Sequence, residues 1–413
     1  MNIQALRDAI PNANPAELEL IARYAMLPED PRRERSFSAF SETGLPHRRL
    51  EAWKWTDFKA GLPALEGSKA KAAADPFAEI EACRIHVASG AVTPPAAWPK
   101  GLNVFEKTDA QAFGAAEDMP LGALTAALSG QKGGIDALLI EVTDTVETPL
   151  HFVFASDGAE ASFARVTVLV RPGASAHFIE SHLGGAGFSS HLIDIGLQAG
   201  GRVTRTVFQA GHTSEVQAVT ADIHLHEGAS YEQTTLAFGA RVCRLETRLT
   251  HRETGANATL NAAYLAGDGQ HVDITTHVRH GAEACTTKQV TKGAVVDGGT
   301  GVFQGKFMVP RAVGQKTDAD MQHHALLLED GAVVNAKPEL EIYADDVECA
   351  HGNTCGALDG DQLFYMRQRG IPEPQARALL TEAFIAEALS ETPESLRSVL
   401  EGKARGWLDT AFG

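Results

Sequence analysis

Short runs of alternating apolar and polar residues fill the middle of the chain. The runs are IHVAS, ALLIEV, LHFVFAS, RVTVLV, HLIDIGL, RVTRTVF and ADIHLH, and turns that contain glycine separate them. An alternation of period two places every second side chain on one face, which is typical of a β-strand with one face in a core. From residue 84 onwards the pattern therefore predicts β-structure in quantity.

The turns between these runs recur at a nearly constant interval. RPGAS, QAGGR, HEGAS, ETGAN and RHGAE are centred on Gly173, Gly200, Gly228, Gly255 and Gly281, so the steps are 27, 28, 27 and 26 residues. Units of this length, with two or three short strands and no convincing helix, stack as the turns of a β-solenoid. We therefore predict a right-handed parallel β-helix. The competing interpretation is a β-sandwich, whose strands also come about every 8 to 12 residues, although stacking explains the long period better.

Helical patterns lie on both sides of the β-region. Residues 14–27 predict a helix with Pro15 in its first turn, and GLPHRRLEAWKWTDF after it predicts a turn and an ordered segment that Trp53 and Trp55 anchor. Residues 60–76, rich in Ala, Gly and Pro, are expected to form a linker. After residue 358 three helices are predicted, the third capped by Thr392. Their apolar stripes most simply indicate core packing, with any remaining surface free for docking.

These patterns divide the chain into three parts. We expect an N-terminal helical region with its linker at 1–82, a β-helix core at 83–356 and a C-terminal helical region at 357–413. Helices at both ends would cover the ends of the solenoid, which otherwise expose its core.

Composition narrows the classes of function. The 413 residues include 53 acidic and 36 basic side chains, and the formal charge of -17 argues against sequence-independent binding to nucleic acid or to anionic membrane. The chain shows neither a signal peptide nor an apolar run that could span a bilayer, so a cytoplasmic protein is expected. Its five cysteines are scattered and form no CxxC pair, which argues against a disulfide framework and against a self-contained four-thiolate site. Any metal site is therefore expected to be completed by another chain.

The segment 337–356, KPELEIYADDVECAHGNTCG, carries the candidate chemistry. It predicts an alternating strand from Glu339 to Val347, with Gly352 and Gly356 as breaks after it. Cys349 and His351 would share a face of an extended backbone, and a thiol with an imidazole suits zinc, copper or iron better than magnesium. Alone this signal is weak, because a single Cys near a single His is more often packing beside a surface imidazole.

Other segments that resemble catalytic or binding motifs do not match those motifs. GGTGVFQGKF is not a phosphate-binding loop, because Thr300 and Phe307 occupy the positions that require Gly and Ser or Thr. GGAG near Gly184 lacks the spacing of a dinucleotide fingerprint. The histidine pairs each lack a third clustered ligand, and the last pair would point to opposite faces of a strand. These pairs are His224 and His226, His277 and His280, and His323 and His324.

Four segments together resemble a known family. KPELEIYADDVECAHG, LFYMRQRGIPEPQARALLTEAFIAE, GVFQGKFMV with QKTDADMQ, and GLPHRRLEAWKW are similar to signatures of the SufB/SufD family of iron-sulfur cluster assembly proteins. The chain length, the GLPHRRLEAWKW segment and the lack of additional clustered cysteines favour the SufD branch. The resemblance implies a helical N-terminal region, a right-handed β-helix and a C-terminal helical region.

The resemblance also implies a function, partners and a site. It implies a non-enzymatic scaffold subunit that pairs with SufB through the β-helix and docks the SufC ATPase on its C-terminal helices. Whether the chain forms a homodimer in isolation stays open at this point. His351 matches the SufD histidine that acts with a SufB cysteine on iron or a nascent cluster, and Cys349 matches its neighbour. We expect partner contacts at the C-terminal residues Phe364, Tyr365, Arg367, Arg369 and Phe384. Nothing in the sequence supports a reduced flavin.

The chain departs from the family pattern at two places, and two alternative functions stay open. Cys355 stands where the family usually carries an apolar residue, and His323-His324 replace the more usual polar pair.

One alternative function is a β-helix enzyme acting on polysaccharide, and the other is the SufB role itself. The first would use Asp318, Asp320, Asp345 and Asp346 as acid, base or calcium ligands.

Overall fold

The computed structural model describes residues 10, 12–65, 67, 69–88, 90–105, 118–129, 138–185, 187–311 and 315–413. Positions 1–9, 11, 66 and 68 of the predicted N-terminal region lie outside this part of the chain. The strands are β1 (Cys83–Ala88), β2 (Ala91–Thr93), β3 (Leu102–Phe105), β4 (Leu138–Val142), β5 (Thr145–Ala155), β6 (Ser162–Val170), β7 (Ser175–Leu183), β8 (Phe188–Leu197), β9 (Arg202–Ala210), β10 (Val216–Leu225), β11 (Ser230–Phe238), β12 (Val242–His251), β13 (Asn257–Ala266), β14 (His271–His280), β15 (Thr286–Val295), β16 (Thr300–Val309), β17 (Thr317–Leu327), β18 (Val333–Ile342) and β19 (Val347–Gly356).

From β4 onwards, successive strands alternate between two sheets. One sheet has the order β19-β17-β15-β13-β11-β9-β7-β5-β1-β2 and the other β18-β16-β14-β12-β10-β8-β6-β4-β3. From β5 onwards each strand pairs in parallel with the strand two places away in sequence, so the chain advances by one rung with every turn. This arrangement confirms the predicted parallel β-helix and excludes the β-sandwich. The right hand of the helix stays a prediction.

A column of turns along one edge explains the period in the sequence. Gly173, Gly200, Gly228 and Gly255 all have positive φ, between 61° and 73°, a region that glycine enters without steric cost. The N–H of Gly200 donates to the carbonyl of Glu227 at 2.8 Å, and that of Gly228 donates to Thr254 at 3.0 Å. Each turn therefore hydrogen-bonds to the next turn of the column.

The prediction is wrong for the fifth turn of the column. Gly281 does not adopt positive φ, and Ala284 (φ 54°) and then Lys316 (φ 55°) take the place instead. The N–H of Ala284 donates to Gln315 O at 3.0 Å, and that of Lys316 donates to Asp346 O at 2.6 Å, which continues the same ladder. The turns lengthen towards the C-terminal end, so a fixed step of 27 residues no longer locates the left-handed position.

The core lies between the two sheets, on the inward faces of the strands. The buried apolar residues that the sheets contribute include Val166, Ile195, Ile223, Leu249, Val278 and Phe307 from one sheet, and Phe152, Phe178, Tyr231, Leu260 and Met321 from the other. Both sheets also carry apolar residues on their outward faces. Helices from the two ends of the chain cover parts of those faces. Strands that are buried on both faces carry apolar residues at successive positions, so some segments show apolar runs and not a simple alternation.

The N-terminal helices pack on the outward face of the β8-containing sheet. They are α1 (Pro15–Ala25), α2 (Pro31–Thr43) and α3 (Phe58–Gly61), and α4 (Pro120–Leu128), between β3 and β4, joins them. Asn14 caps α1 in a capping box with Glu17, which agrees with the predicted helix start. Trp53 is buried and anchors the segment before α3, whereas Trp55 is only half-buried. The sequence did not predict α4.

The segment predicted as a linker is packed instead. Leu65 is fully buried among the N-terminal helices, and Phe77, just after the segment, is fully buried beside Phe208. The Ser181 hydroxyl of β7 donates to Asp75 Oδ1 at 2.9 Å. Small residues between these anchors let the chain run along the solenoid surface, so their composition resembled that of a flexible linker.

Three helices follow β19, as the sequence predicts. They are α5 (Gly360–Gln368), α6 (Glu373–Ala386) and α7 (Glu394–Phe412). Ile385, Leu389, Leu396 and Leu400 pack on the outward face of the β11-containing sheet. The predicted Thr392 cap is wrong, because Pro393 is the N-cap residue and no side chain caps the helix. Helix α5 contributes no buried residue at all.

Buried histidines make stability depend on pH. The Nε2 atoms of His251 and His280 lie 2.9 and 3.1 Å from Thr287 Oγ1, inside the solenoid. Burial lowers the pKa of His280 to about 4, and that of His251 also lies well below its ordinary value of 6.5. The unfolded chain therefore binds protons first as the pH falls, and the native state loses stability in that range.

We expect the free energy of unfolding to fall between about pH 6.5 and pH 4, with His280 contributing up to about 3 kcal/mol of the loss. Chemical denaturation across this range measures the slope. In His280→Gln the slope should be shallower, although the variant is less stable at pH 7. An unchanged slope in the variant would contradict the assignment.

Candidate functional site

The last turn of the solenoid ends in two edge strands. Among the described residues, β18 pairs only with β16 and β19 only with β17, so one edge of each is unpaired. The predicted strand at Glu339 was placed too late, because β18 begins at Val333. The predicted breaks were also wrong, because β19 continues in register with β17 through Gly352 to Gly356. Side chains on the inward face of this turn have no further turn above them.

The inward face of β19 carries four polar or sulfur-bearing side chains. Its register pairs Cys349 with Ala319, His351 with Met321, Asn353 with His323 and Cys355 with Ala325. All four β17 partners are buried, which places this alternate set of β19 residues on the inward face. Cys349 and His351 therefore share one face, as their spacing predicts, and Asn353 and Cys355 extend the same row.

Cys349 lies at the rim of an open cavity. Cys349 is half-buried and packs against the core, and the residue is also part of the lining of a cavity of about 760 Å³ with Asp318, Asp320 and Lys288. Burial, followed by the charge of Asp318, raises the pKa of the Cys349 thiol above its usual 9.0. The thiol is therefore protonated near neutral pH, and a metal ion must displace that proton to bind sulfur. His351 is exposed.

The donor set of this chain is small. Within the described ranges, no group of three or more His, Cys, Asp or Glu side chains is placed to hold a metal ion. Cys349 and His351 supply one sulfur and one nitrogen, which suit iron and other soft or borderline metals. Two such donors can hold an ion only with ligands from elsewhere.

Sequence reasoning missed the contacts beneath this row. His323 Nδ1 donates to Asn353 Oδ1 at 2.6 Å, and Tyr264 Oη lies 3.0 Å from His323 Nε2. As predicted, His323 and His324 point to opposite faces, with His323 fully buried and His324 partly exposed. The alternation at 349, 351, 353 and 355 was visible in the sequence, but the pairing of Asn353 with His323 depends on the register of strands about thirty residues apart.

The other histidine pairs make ordinary structural contacts. His224 Nε2 lies 3.2 Å from Asp222 Oδ2, and Arg252 Nε donates to His224 Nδ1 at 3.1 Å. His226 Nδ1 lies 3.1 Å from Glu253 Oε1. His280 bonds Thr287, and His277 is partly buried on the outward face of β14. None of these four belongs to a metal-binding group within the described part of the chain.

The predicted partner-binding residues divide into two groups. Phe364 and Tyr365 of α5 are 62% and 57% exposed. The Arg369 guanidinium lies 4.7 Å from the Tyr365 ring, and Arg367 pairs with Glu373 at 3.2 Å. Phe384 differs, because it is half-buried on α6 with Lys292 Nζ only 4.4 Å from its ring. The structure thus leaves the α5 aromatics on the surface and packs Phe384 against the solenoid.

The fold and the site together define a parallel β-helix protein with soft metal donors at its open end. A family model described as "SUF system FeS cluster assembly, SufBD core domain" matches residues 152–384. The match covers more than half of the chain, which therefore belongs to the SufBD family of iron-sulfur cluster assembly proteins. This is a family of assembly scaffolds.

Individual relatives agree with this membership. Iron-sulfur cluster assembly protein SufD of Escherichia coli is 28% identical over 388 residues, which cover 86% of this chain and 88% of the relative. SufD of Bacillus subtilis is 24% identical over 303 residues, covering 68% and 67%. A SufBD family protein of Synechocystis is 32% identical over 222 residues, covering 53% and 47%. The predicted resemblance is confirmed, and the named similarity is to SufD.

Two further observations bear on the earlier hypotheses. No helix in the described part of the chain is long and apolar enough to cross a membrane. Family membership removes the support for a polysaccharide-active enzyme, which depended on fold analogy alone. Of the carboxylates assigned to that role, Asp318 and Asp320 lie on β17 in register with Glu348 and Ala350.

Thiol alkylation tests the electrostatics of Cys349. At pH 8 we expect Cys349 to react with iodoacetamide more slowly than a free cysteine, because its raised pKa leaves less thiolate. Asp318→Asn removes the second cause of the shift and should speed the reaction. Mass spectrometry resolves the sites, and Cys355, whose pKa is raised by burial alone, serves as the internal reference. Equal Cys349 rates with and without Asp318 would contradict the account.

Proposed function

We propose that this chain is a SufD-like scaffold subunit that pairs with SufB and docks the SufC ATPase. Its role would be to help acquire iron and form the nascent cluster in the cytoplasm. The observation that carries the proposal is the donor pair Cys349 and His351 on the open inward face of the last strand. Because one chain supplies too few donors for a stable site, the pair fits an interface at which a second protein supplies the rest.

The open end of the β-helix supports pairing with another β-helix. An unpaired strand edge offers a row of backbone donors and acceptors, and a second edge strand can satisfy them. Exposed apolar side chains lie on or beside β18: Val333 is 46% exposed, Ile342 37% and Tyr343 58%. A SufB β-helix placed there would bring its own side chains to the inward row of β19. In isolation, a second copy of this chain could occupy the same edge.

The chemistry of the pair fits transient binding of iron as cargo. Iron would displace the proton of the Cys349 thiol while the His351 imidazole supplies a neutral nitrogen. A partner cysteine would complete the site together with sulfide. A shared and partly open site can release its product, whereas four tight protein ligands would retain it.

The exposure of α5 supports docking of the ATPase subunit. A helix without any fully buried residue gains little from core packing in this chain, and its aromatic side chains are exposed. Aromatic and arginine side chains are enriched at the energetic centres of protein interfaces. Phe364, Tyr365, Arg367 and Arg369 therefore form the proposed docking surface, and Phe384 would act only by holding α6 in place.

Substitution of the imidazole tests the site. In the complex co-expressed with SufB and SufC, His351→Ala should abolish cluster assembly because the site loses the imidazole nitrogen that this chain supplies. Bound iron, acid-labile sulfide and the visible absorption of the complex measure the outcome. The melting temperature and the recovery of both partners should not change. Thr354→Ala, on the opposite face of the same strand, is the matched control, and normal assembly in His351→Ala would refute the site.

The docking surface has its own test. The double variant Phe364→Ala/Tyr365→Ala should lose at least about 30-fold in affinity for SufC, since truncating even one central aromatic costs about 2 kcal/mol. It should still bind SufB. Calorimetric titration of the ATPase into the SufB-bound complex gives the SufC affinity, and recovery of that complex shows that SufB still binds. Met26→Ala, at an N-terminal residue that is 86% exposed, controls for loss of surface apolar area. Unchanged SufC affinity in the double variant would place the docking surface elsewhere.

A further inference from the structure

We propose that Asn353 is a third functional side chain of the β19 site, and that Tyr264 and His323 orient its amide group. In this arrangement the amide nitrogen of Asn353 donates a hydrogen bond to an anionic sulfur atom, either sulfide or thiolate, on the iron bound at His351. The inference rests on the proposed function and adds to it a residue that the sequence did not single out. His323 and Tyr264 are positioning residues that act through Asn353.

The chain of contacts begins with Tyr264, whose ring is tightly packed. The Tyr264 ring fills the space over two glycines of the neighbouring strands: a Cβ on Gly293 would lie 2.1 Å from the ring, and one on Gly301 2.4 Å. No other residue type fits at either glycine without moving the ring. Burial raises the pKa of Tyr264, so its hydroxyl keeps its proton. The hydroxyl lies 3.0 Å from His323 Nε2.

The tautomer of His323 follows from its two partners. Its ring is stacked on Phe303 with 4.5 Å between centroids, and burial lowers its pKa to about 4, so the imidazole is neutral and carries one N–H. Asn353 Oδ1 can only accept, so Nδ1 carries the proton and Nε2 is left to accept from the Tyr264 hydroxyl. That proton is donated to Asn353 Oδ1 at 2.6 Å.

The orientation of Asn353 follows in turn. Its amide oxygen is engaged by His323, so Nδ2 with its two hydrogens must point the other way. Asn353 is exposed, and among the described residues nothing accepts a hydrogen bond from this nitrogen. Two residues along a strand span about 6.6 Å, so Nδ2 and the His351 imidazole flank the same space on the inward face. Hydrogen bonds to cluster sulfurs stabilise their negative charge and tune the metal.

The opposite face of β19 provides a matched control. His324 Nδ1 lies 2.6 Å from Thr354 Oγ1, so adjacent histidines make equally short bonds to adjacent residues of the same strand. The His323 bond faces inwards and the His324 bond outwards. If these bonds only attach β19 to β17, removal of either should have the same effect. If the amide orientation matters, only the inward bond affects the site.

The test measures the affinity of the complex with SufB and SufC for ferrous iron, by anaerobic competition with a chelator, and the absorption spectrum of the assembled cluster. We expect Asn353→Ala and His323→Ala each to weaken iron binding about 10-fold and to shift the sulfur-to-iron bands, as loss of an outer hydrogen bond typically does. His323→Gln, whose amide can donate to Asn353, should restore much of the affinity. Tyr264→Phe should give an intermediate loss, and His324→Ala should match the unmodified protein. The melting temperature of every variant should lie within a few degrees of that of the unmodified protein.

Several results would overturn the inference. Equal losses in His323→Ala and His324→Ala would show that the bonds only attach the strand, and unaltered iron binding in Asn353→Ala would remove the residue from the site. His351→Ala, measured alongside, separates this inference from the proposed function. If His351→Ala binds iron normally, the site itself is wrong; if only His351→Ala is impaired, the site stands and Asn353 has no part in it.

Discussion

Backbone hydrogen bonds between successive turns hold the solenoid in register, and they stop at the last turn. Every strand from β5 to β17 lies between two parallel neighbours, while β18 and β19 have only one in the described structure. The inward faces of earlier turns are buried, and most of the side chains that fill them are apolar. The same face of β19 stays open, and there the chain carries Cys349, His351, Asn353 and Cys355. The candidate site is thus a core-facing row that no described residue of this chain covers.

The interior beneath this row is more polar than a simple stack of aliphatic residues. Glu180 and Arg205 form a fully buried ion pair with two contacts of 2.6 Å, and His182 donates to the same carboxylate. Burial alone would raise the pKa of Glu180, but Arg205 and His182 lower it to about 2. Such pairs are costly to break and gain little over apolar packing. The ion pair joins two neighbouring turns, since Glu180 lies on β7 and Arg205 on β9, and Tyr264 of β13 likewise contacts His323 of β17.

The sequence predicted the architecture well because the solenoid repeats its own constraint. A residue in the left-handed region recurs at the stacked turns, and because glycine takes this position at four successive turns, its recurrence revealed the period directly. Prediction failed where the constraint changed. Ala284 and Lys316 take the left-handed position without being glycine, and composition alone could not distinguish the packed segment before Phe77 from a flexible linker. Cys349 and His351 were found from local spacing, whereas Asn353 acquires its role from His323, which lies thirty residues earlier and meets it only through strand register.

The proposed site requires that His351 of this chain bind the iron of a cluster that a partner chain also ligates. Pulsed electron paramagnetic resonance on the reduced, paramagnetic cluster can detect this bond, with ¹⁵N-histidine incorporated only into this chain before assembly with unlabelled SufB and SufC. We expect a ¹⁵N coupling of the size typical of a directly bound imidazole, and its loss in His351→Ala. An assembled cluster without any ¹⁵N coupling from this chain would contradict it.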